Sequence, residues 1–180
     1  RRCSSDLLTA GRVTVTPIGA TAAVSPIAPV AVTAGMLTVT ATGATAAMIP
    51  NVKADGEKIL TYHEAILQTK RPESVVIIGA GAIGIEFATV WNAYGTNVTI
   101  VEMLPRALPL EDEDTSSELV KAYQKRGIKV MTSTRVLSVQ TTEKGVSVRV
   151  AAPDGEKTLE AEQALVAIGF KPNSKDLGLE

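Results

Sequence analysis

Apolar positions along the chain change their spacing several times, and each change marks an element. After Ser74, the residues Val75, Val76, Ile77 and Ile78 form an unbroken apolar run, too short for a helix and bounded by glycine, which predicts a buried strand. Gly79, Gly81 and Gly84 follow, then a helix-like segment, then a second apolar strand from Val98 to Val101 that ends at Glu102. Helical spacing resumes from Thr115 to Arg126, with Gly127 placed to stop it, and Ile128 to Met131 predicts a third parallel strand. From Arg135 the period becomes two. Arg135 to Gln140, Val146 to Ala151 and Thr158 to Ala161 predict three antiparallel strands, with turns at Glu143-Lys144-Gly145 and Pro153-Asp154-Gly155. Ala164 to Ile168 returns as a buried strand ending at Gly169, and the remaining residues carry no further helix or strand pattern.

Upstream the texture differs. From Thr14 to Ala47 there is no charged and no aromatic residue. Gly11 to Thr16 and Met36 to Thr40 are β-branched and alternate, so both predict strands; the intervening TAAVSPIAPVAV has prolines that argue against a central strand. The bland reading of this region is a small β-meander with plain side chains. Met48-Ile49-Pro50 leads into a polar connection, Asn51 to Gly56, and Thr61 with Glu64 has capping-box spacing for a short helix through about Gln68. The fold class expected is α/β: a Rossmann-like parallel sheet with an antiparallel β-meander crossover, closed by one more strand, plus a partial β appendage.

Composition changes this picture little. Over 180 residues, 45% are hydrophobic and 21% charged, the balance of a soluble globular chain, and a net charge of −1 points to no nucleic-acid or basic membrane-surface partner. A lone cysteine, Cys3, can form neither an internal disulfide nor a redox dithiol within the chain. No apolar run is long enough to span a membrane, and Arg1-Arg2-Cys3-Ser4-Ser5 lacks the apolar core of a signal peptide. A cytoplasmic or organelle-matrix location is the default expectation.

The chemistry concentrates between Ser74 and Met103. Gly79 allows a tight strand-to-helix turn, Gly81 removes a side chain that would block a pyrophosphate, and Gly84 lets the helix pack close to the strand. Phosphates would then rest on free amides at the helix start, while Glu102, eighteen residues beyond Gly84, would accept hydrogen bonds from the adenosine ribose. A carboxylate there favours NAD over NADP, whose 2′-phosphate it would repel. Such a glycine pattern alone is weak and also occurs in βαβ turns that bind nothing; the complete strand, helix, strand and acid in one unit is what gives it weight. His63, the only histidine, has no second ligand or nucleophile nearby and reads as polar surface rather than a catalytic base. Glu111-Asp112-Glu113-Asp114 has the look of a metal site, but immediately before a helix it reads as acids placed against the helix dipole.

GAGAIGIEFA (Gly79 to Ala88), VTIVEMLPRALP (Val98 to Pro109), ALVAIGFKPN (Ala164 to Asn173) and ATGA (Ala41 to Ala44) together resemble the dihydrolipoyl dehydrogenases, within the class I, flavin-dependent pyridine nucleotide-disulfide oxidoreductases. The resemblance runs from Ala41 to Glu180. It implies a partial FAD-domain β segment over 1–50, an NAD-binding domain over 51–170, with the segment matching Glu57 to Gly169 as its body, and a return to the FAD domain over 171–180. It also implies that Thr42 and Gly43 touch FAD and that the run Gly79, Ala80, Gly81, Ala82, Ile83 and Gly84 holds the NAD pyrophosphate. Glu102 would hold the ribose, Val136 would border the adenine, and Ala167, Ile168, Gly169 and Phe170 would line the nicotinamide end. Glu86 resembles the acid that points toward the flavin, with a solvent-facing helix glutamate as the alternative. The intact enzyme implied is a homodimer that passes electrons from dihydrolipoamide through a cysteine pair and FAD to NAD, serving lipoyl-bearing 2-oxo acid dehydrogenase or glycine cleavage complexes in the cytoplasm or mitochondrial matrix.

Departures from the family pattern are plain. Its first FAD glycine motif, the CxxxxC disulfide, the second FAD motif ending in GD and the C-terminal His-Glu pair have no match; Ala46 stands where proline is usual, and Phe170 where arginine is frequent. Without its own cysteine pair the chain cannot exchange dithiols. It therefore reads as a fragment or excised domain whose own activity would be NAD binding. A stand-alone NAD-binding module, the NAD domain of an NADH oxidase or ferredoxin reductase, and a purely structural scaffold are the other readings.

Overall fold

The computed structural model describes residues 15–17, 30–34, 37–41, 43–50 and 52–173. It divides into two units: residues 1–45 with 171–180, and residues 46–170.

In the first unit, β1 (Val15–Pro17), β2 (Val30–Ala34) and β3 (Leu37–Ala41) form an antiparallel meander in the order β1-β2-β3. This corrects one expectation: the middle strand lies in the segment that the prolines argued against. Pro26 and Pro29 both precede Val30, so the central strand β2 contains no proline; Pro17, opposite Val30, lies at the end of the edge strand β1, where a missing N–H is tolerated. Of the predicted first strand, residues 11–14 lie outside the described residues, as do Met36 and Thr42. β4 (Ala44–Ala46) follows the ATGA turn, where Gly43 has φ +67°, and Gly43 accepts a hydrogen bond from the Asn173 amide at 2.9 Å.

The second unit is built on a five-stranded parallel sheet. β5 (Ile59–Leu60) precedes α1 (Tyr62–Ile66); β6 (Ser74–Ile78), α2 (Ala82–Ala93) and β7 (Asn97–Val101) form the βαβ unit; α3 (Glu113–Lys125) leads to β8 (Lys129–Met131). The antiparallel strands β9 (Arg135–Thr142), β10 (Gly145–Ala152) and β11 (Gly155–Ala161) come next, and then β12 (Gln163–Val166) re-enters the sheet. Strand order is β5-β12-β6-β7-β8, so β12, late in the chain, seats between β5 and β6. The expected parallel core with a meander crossover is therefore present.

Both faces of this sheet are covered, which explains the uninterrupted apolar runs. Val75, Ile77, Val98, Ile100 and Leu165 pack toward Ile85, Ala88 and Trp91 of α2 and Tyr123 of α3. Val76, Ile78, Ala164 and Val166 point the other way, against Val146, Val148 and Val150 of β10. Successive residues of β6 thus serve two separate cores. Tyr123 fastens the two helices: its hydroxyl donates to the Ile85 carbonyl at 2.8 Å and lies 2.6 Å from Thr89 Oγ1.

Several boundaries differ from the sequence reading. β5 was not expected, because two residues carry no periodicity. α3 starts two residues earlier than expected: Asp112 is the cap, accepting from the Asp114 and Thr115 amides, and Glu113 and Asp114 are inside the first turn. Gly127, at φ +82°, ends it as anticipated. β12 stops at Val166, short of Ile168, and a final strand, β13 (Phe170–Pro172), pairs with β4 where no element was expected. The α1 capping box forms as read, with Thr61 and Glu64 bonded reciprocally.

Candidate functional site

The βαβ unit sets up the site. At the end of β6 the chain must reverse into α2 within a few residues, and Gly79 does so at φ +108°. A Cβ on Gly79 would meet the Ala167 carbonyl oxygen at 2.5 Å, so neither that conformation nor that space admits another residue. At Gly84 a Cβ would collide with the Gly79 carbonyl oxygen and sit 3.2 Å from Ile77 Cγ2, which is the close helix-to-strand approach expected of the third glycine. Gly81 is different. It is the N-cap of α2, and a Cβ there would meet no protein atom within 4 Å.

That open space belongs to a cleft of about 1150 Å³ at the carboxyl ends of the parallel strands, beside β6, from which the sheet continues in opposite directions. Three helix starts can be compared. α1 is capped by Thr61 and α3 by Asp112, each with acid in the first turn; α2 has neither a side-chain cap nor an acid. Among the described residues, the one helix start left uncompensated is the one that opens on the cleft, so its amides and positive dipole end are available to an anion.

Glu102 lies one residue past β7 and is 8% exposed. Its Oε2 accepts the Ala80 amide at 2.7 Å and its Oε1 the Leu104 amide at 2.8 Å. Its own backbone is fixed as well: the Glu102 amide donates to Met131, and its carbonyl accepts from Thr134, both at 2.8 Å.

Of the residues expected from the sequence, Gly79, Gly81, Ala82, Ile83, Glu102, Val136, Ala167, Ile168, Gly169 and Phe170 line this cleft. Ala80 and Gly84 are buried beneath it, within the turn rather than on its wall. Glu86 is exposed on α2 and does not line the cleft. Gly43 belongs to the other unit, and Thr42 lies outside the described residues.

Sequence reasoning missed much of the apolar wall. Met103, Leu104, Leu108 and Leu110 all line the cleft from the segment between β7 and α3, where the sequence pattern predicts no element, and buried Thr134 and the more exposed Leu137 line it from the start of the meander. Leu137 owes its place to a β-bulge: Arg149 pairs with Ser138 and Val150 with Val136, so Leu137 has no cross-strand partner. Every residue from Thr134 to Leu137 lines the cleft, and the bulge falls at the last of them. Strict alternation along Arg135 to Gln140 hid this. Among the described residues no cluster of acids, histidine and cysteine could hold a metal.

The sequence pattern of the family described as pyridine nucleotide-disulphide oxidoreductase matches residues 32–180. The dihydrolipoyl dehydrogenase of Mycobacterium leprae is 48% identical over 122 residues, covering 68% of this chain and 26% of the relative. That of Zymomonas mobilis is 41% identical over 133 residues, covering 73% of this chain and 28% of the relative. Among solved structures, LpdA from Mycobacterium tuberculosis matches with a TM-score of 0.69 and 32% identity over 84% of this chain and 34% of its own. The chain spans only 26–28% of the length of these curated relatives.

Proposed function

The chain belongs to the pyridine nucleotide-disulphide oxidoreductase family, and from that premise we propose that residues 51–170 are the NAD-binding portion of a flavin-dependent dihydrolipoyl dehydrogenase. The observation that carries this reading is the uncapped start of α2 at Gly81, opening on an apolar cleft with one buried carboxylate at its side. A dinucleotide fits these residues: two phosphates need amides and a space no Cβ fills, a ribose diol needs an acceptor, and two flat rings need apolar walls.

In this reading the turn from Gly79 to Gly84 holds the pyrophosphate, Glu102 takes the adenosine ribose, and Val136 borders the adenine. Ala167, Ile168, Gly169 and Phe170 flank the nicotinamide. NAD, when bound, supplies a carbon that accepts hydride; the residues of this chain bind and orient it, and the apolar wall excludes water. In the whole protein, electrons pass from dihydrolipoamide through a redox disulfide and FAD to NAD. Thr42 and Gly43 belong to the FAD side, and Glu86, exposed on α2, faces the flavin. The whole protein is a homodimer working with lipoyl-bearing 2-oxo acid dehydrogenase or glycine cleavage complexes, and its compartment is the cytoplasm or mitochondrial matrix. Among the described residues no helix is long and apolar enough to cross a membrane.

The test is an absorbance spectrum of the purified chain followed by calorimetric titration with NADH and NADPH. The expected result is NADH binding with NADPH clearly weaker. Equal or tighter NADPH binding overturns the cofactor assignment, and no binding of either overturns the reading.

A further inference from the structure

Glu102 has more bonds than a ribose acceptor needs. A carboxylate has about four lone-pair positions. Two are already taken, one on each oxygen, by the amides of Ala80 and Leu104 at 2.7 and 2.8 Å. Ala80 is fully buried and is the residue between the first two glycines of the turn. Its carbonyl is fixed too, accepting the Leu108 amide at 2.9 Å. Leu108 adopts φ +45°, a left-handed conformation that a leucine rarely takes without being held. On its amino side, Ala107 is pinned where its carbonyl accepts the Ser116 hydroxyl at 2.5 Å. The segment after β7 is therefore fastened to the glycine turn at two points, and the carboxylate of Glu102 makes one of them.

We propose that Glu102 is a positioning residue for the phosphate-binding turn, holding Ala80 and Leu104 in place before any ligand arrives, in addition to meeting the ribose. This rests on the dinucleotide reading above for its functional consequence, though not for the clamp itself. A buried carboxylate is costly unless its oxygens are bonded, and charge-assisted bonds to two amides offset that cost in the free protein. The two remaining lone-pair positions match the two donors of a vicinal diol. Coenzyme choice and turn geometry are thus carried by one side chain. A lysine, arginine or glutamine at this position cannot accept both amides, so exchanging the charge to favour a 2′-phosphate also loosens the turn that binds the pyrophosphate.

The experiment uses the full 180-residue chain, with Glu102→Gln as the variant and two probes, NADH and reduced nicotinamide mononucleotide. The second probe has a phosphate but no adenosine ribose. A residue that only meets the ribose affects NADH alone. A residue that positions the turn weakens both probes by similar factors, on the order of tenfold, the scale of one lost hydrogen bond to a charged group. Hydrogen exchange without ligand provides the second arm: Ala80 or Leu104 should exchange about tenfold faster or more in the variant, while the β6 amides do not change. Unchanged mononucleotide binding alongside weakened NADH binding overturns the proposal, as does unchanged exchange at both amides. Should the variant fail to fold, the parent decides: Ala80 and Leu104 must exchange far more slowly than Gly81 at the uncapped helix start, and equal rates overturn the clamp. Failure of the parent to bind NADH refutes the dinucleotide reading, while the exchange arm still reads the clamp.

Discussion

Replacing two glycines of the same turn by alanine should separate folding from binding. At Gly84 the new methyl would collide with the Gly79 carbonyl oxygen and press on Ile77 Cγ2 at 3.2 Å, and a backbone oxygen already inside a tight turn cannot give way. Overpacking of this kind costs about 1–3 kcal/mol, of which the better helix propensity of alanine returns about 1 kcal/mol. A net loss of up to about 2 kcal/mol should lower the melting temperature by as much as several degrees. At Gly81 the methyl meets no protein atom within 4 Å, and φ is −74°, which alanine adopts freely. The reduced freedom of the unfolded chain contributes roughly 0.4–1 kcal/mol, and alanine's poorer fit as an N-cap takes back a similar amount, so stability should not move. NADH binding should respond in the opposite way. The Gly81 methyl projects into the space assigned to the pyrophosphate, and a clash worth about 1–3 kcal/mol weakens binding by about fivefold to somewhat over a hundredfold. Thermal melts and calorimetric titrations on both variants give the answer. If Gly81→Ala melts as low as Gly84→Ala, or binds NADH like the parent, the division of roles is wrong.

Asp55 should give the chain an acid-sensitive point. Burial works to raise its carboxyl, but the amides of Ile59, Glu57 and Lys58 together outweigh it and hold the group below its ordinary range. Between the lower folded value and the usual value of about 4, the unfolded chain binds more protons, so stability rises with pH there. The contribution is complete above about pH 4 and disappears as pH falls through the folded value, and Asp55→Asn should flatten that part of a denaturation-against-pH curve. Tyr123→Phe removes the hydroxyl that joins α3 to Ile85 and Thr89 on α2, and urea denaturation should show a loss of about 1 kcal/mol with m unchanged.

The parts legible in the sequence are those whose physics is local. Val75 to Ile78 could only be a doubly buried strand, the three glycines each had a separate steric reason, and Glu102 stood at a strand end where an acid is otherwise unwelcome. Ile59 and Leu60 became a strand only because Ala164 and Leu165 arrive beside them. Asp112 could not be distinguished as the cap of α3 within a run of four acids, since any of them could accept an amide. The bulge at Leu137 depends on how β9 registers against β10, which no single strand encodes. The leucines of the loop after Glu102 form a wall because Leu108 is tied to Ala80, a contact between residues with no shared periodicity.

The place of β12 has a consequence for how this unit is assembled. Its slot between β5 and β6 is defined by residues made long before it, while β9, β10 and β11, which intervene in sequence, can pair with one another through two-residue turns. Local hairpins close quickly and long-range parallel pairing slowly. During synthesis the flank of β6 away from β7 therefore stays an unpaired edge until Gln163 to Val166 emerge, with Val75 to Ile78 offering their backbone to any passing strand. The same insertion that completes the sheet leaves this unit exposed to misassociation until the sheet is closed, and a chaperone acting on it has that interval to cover.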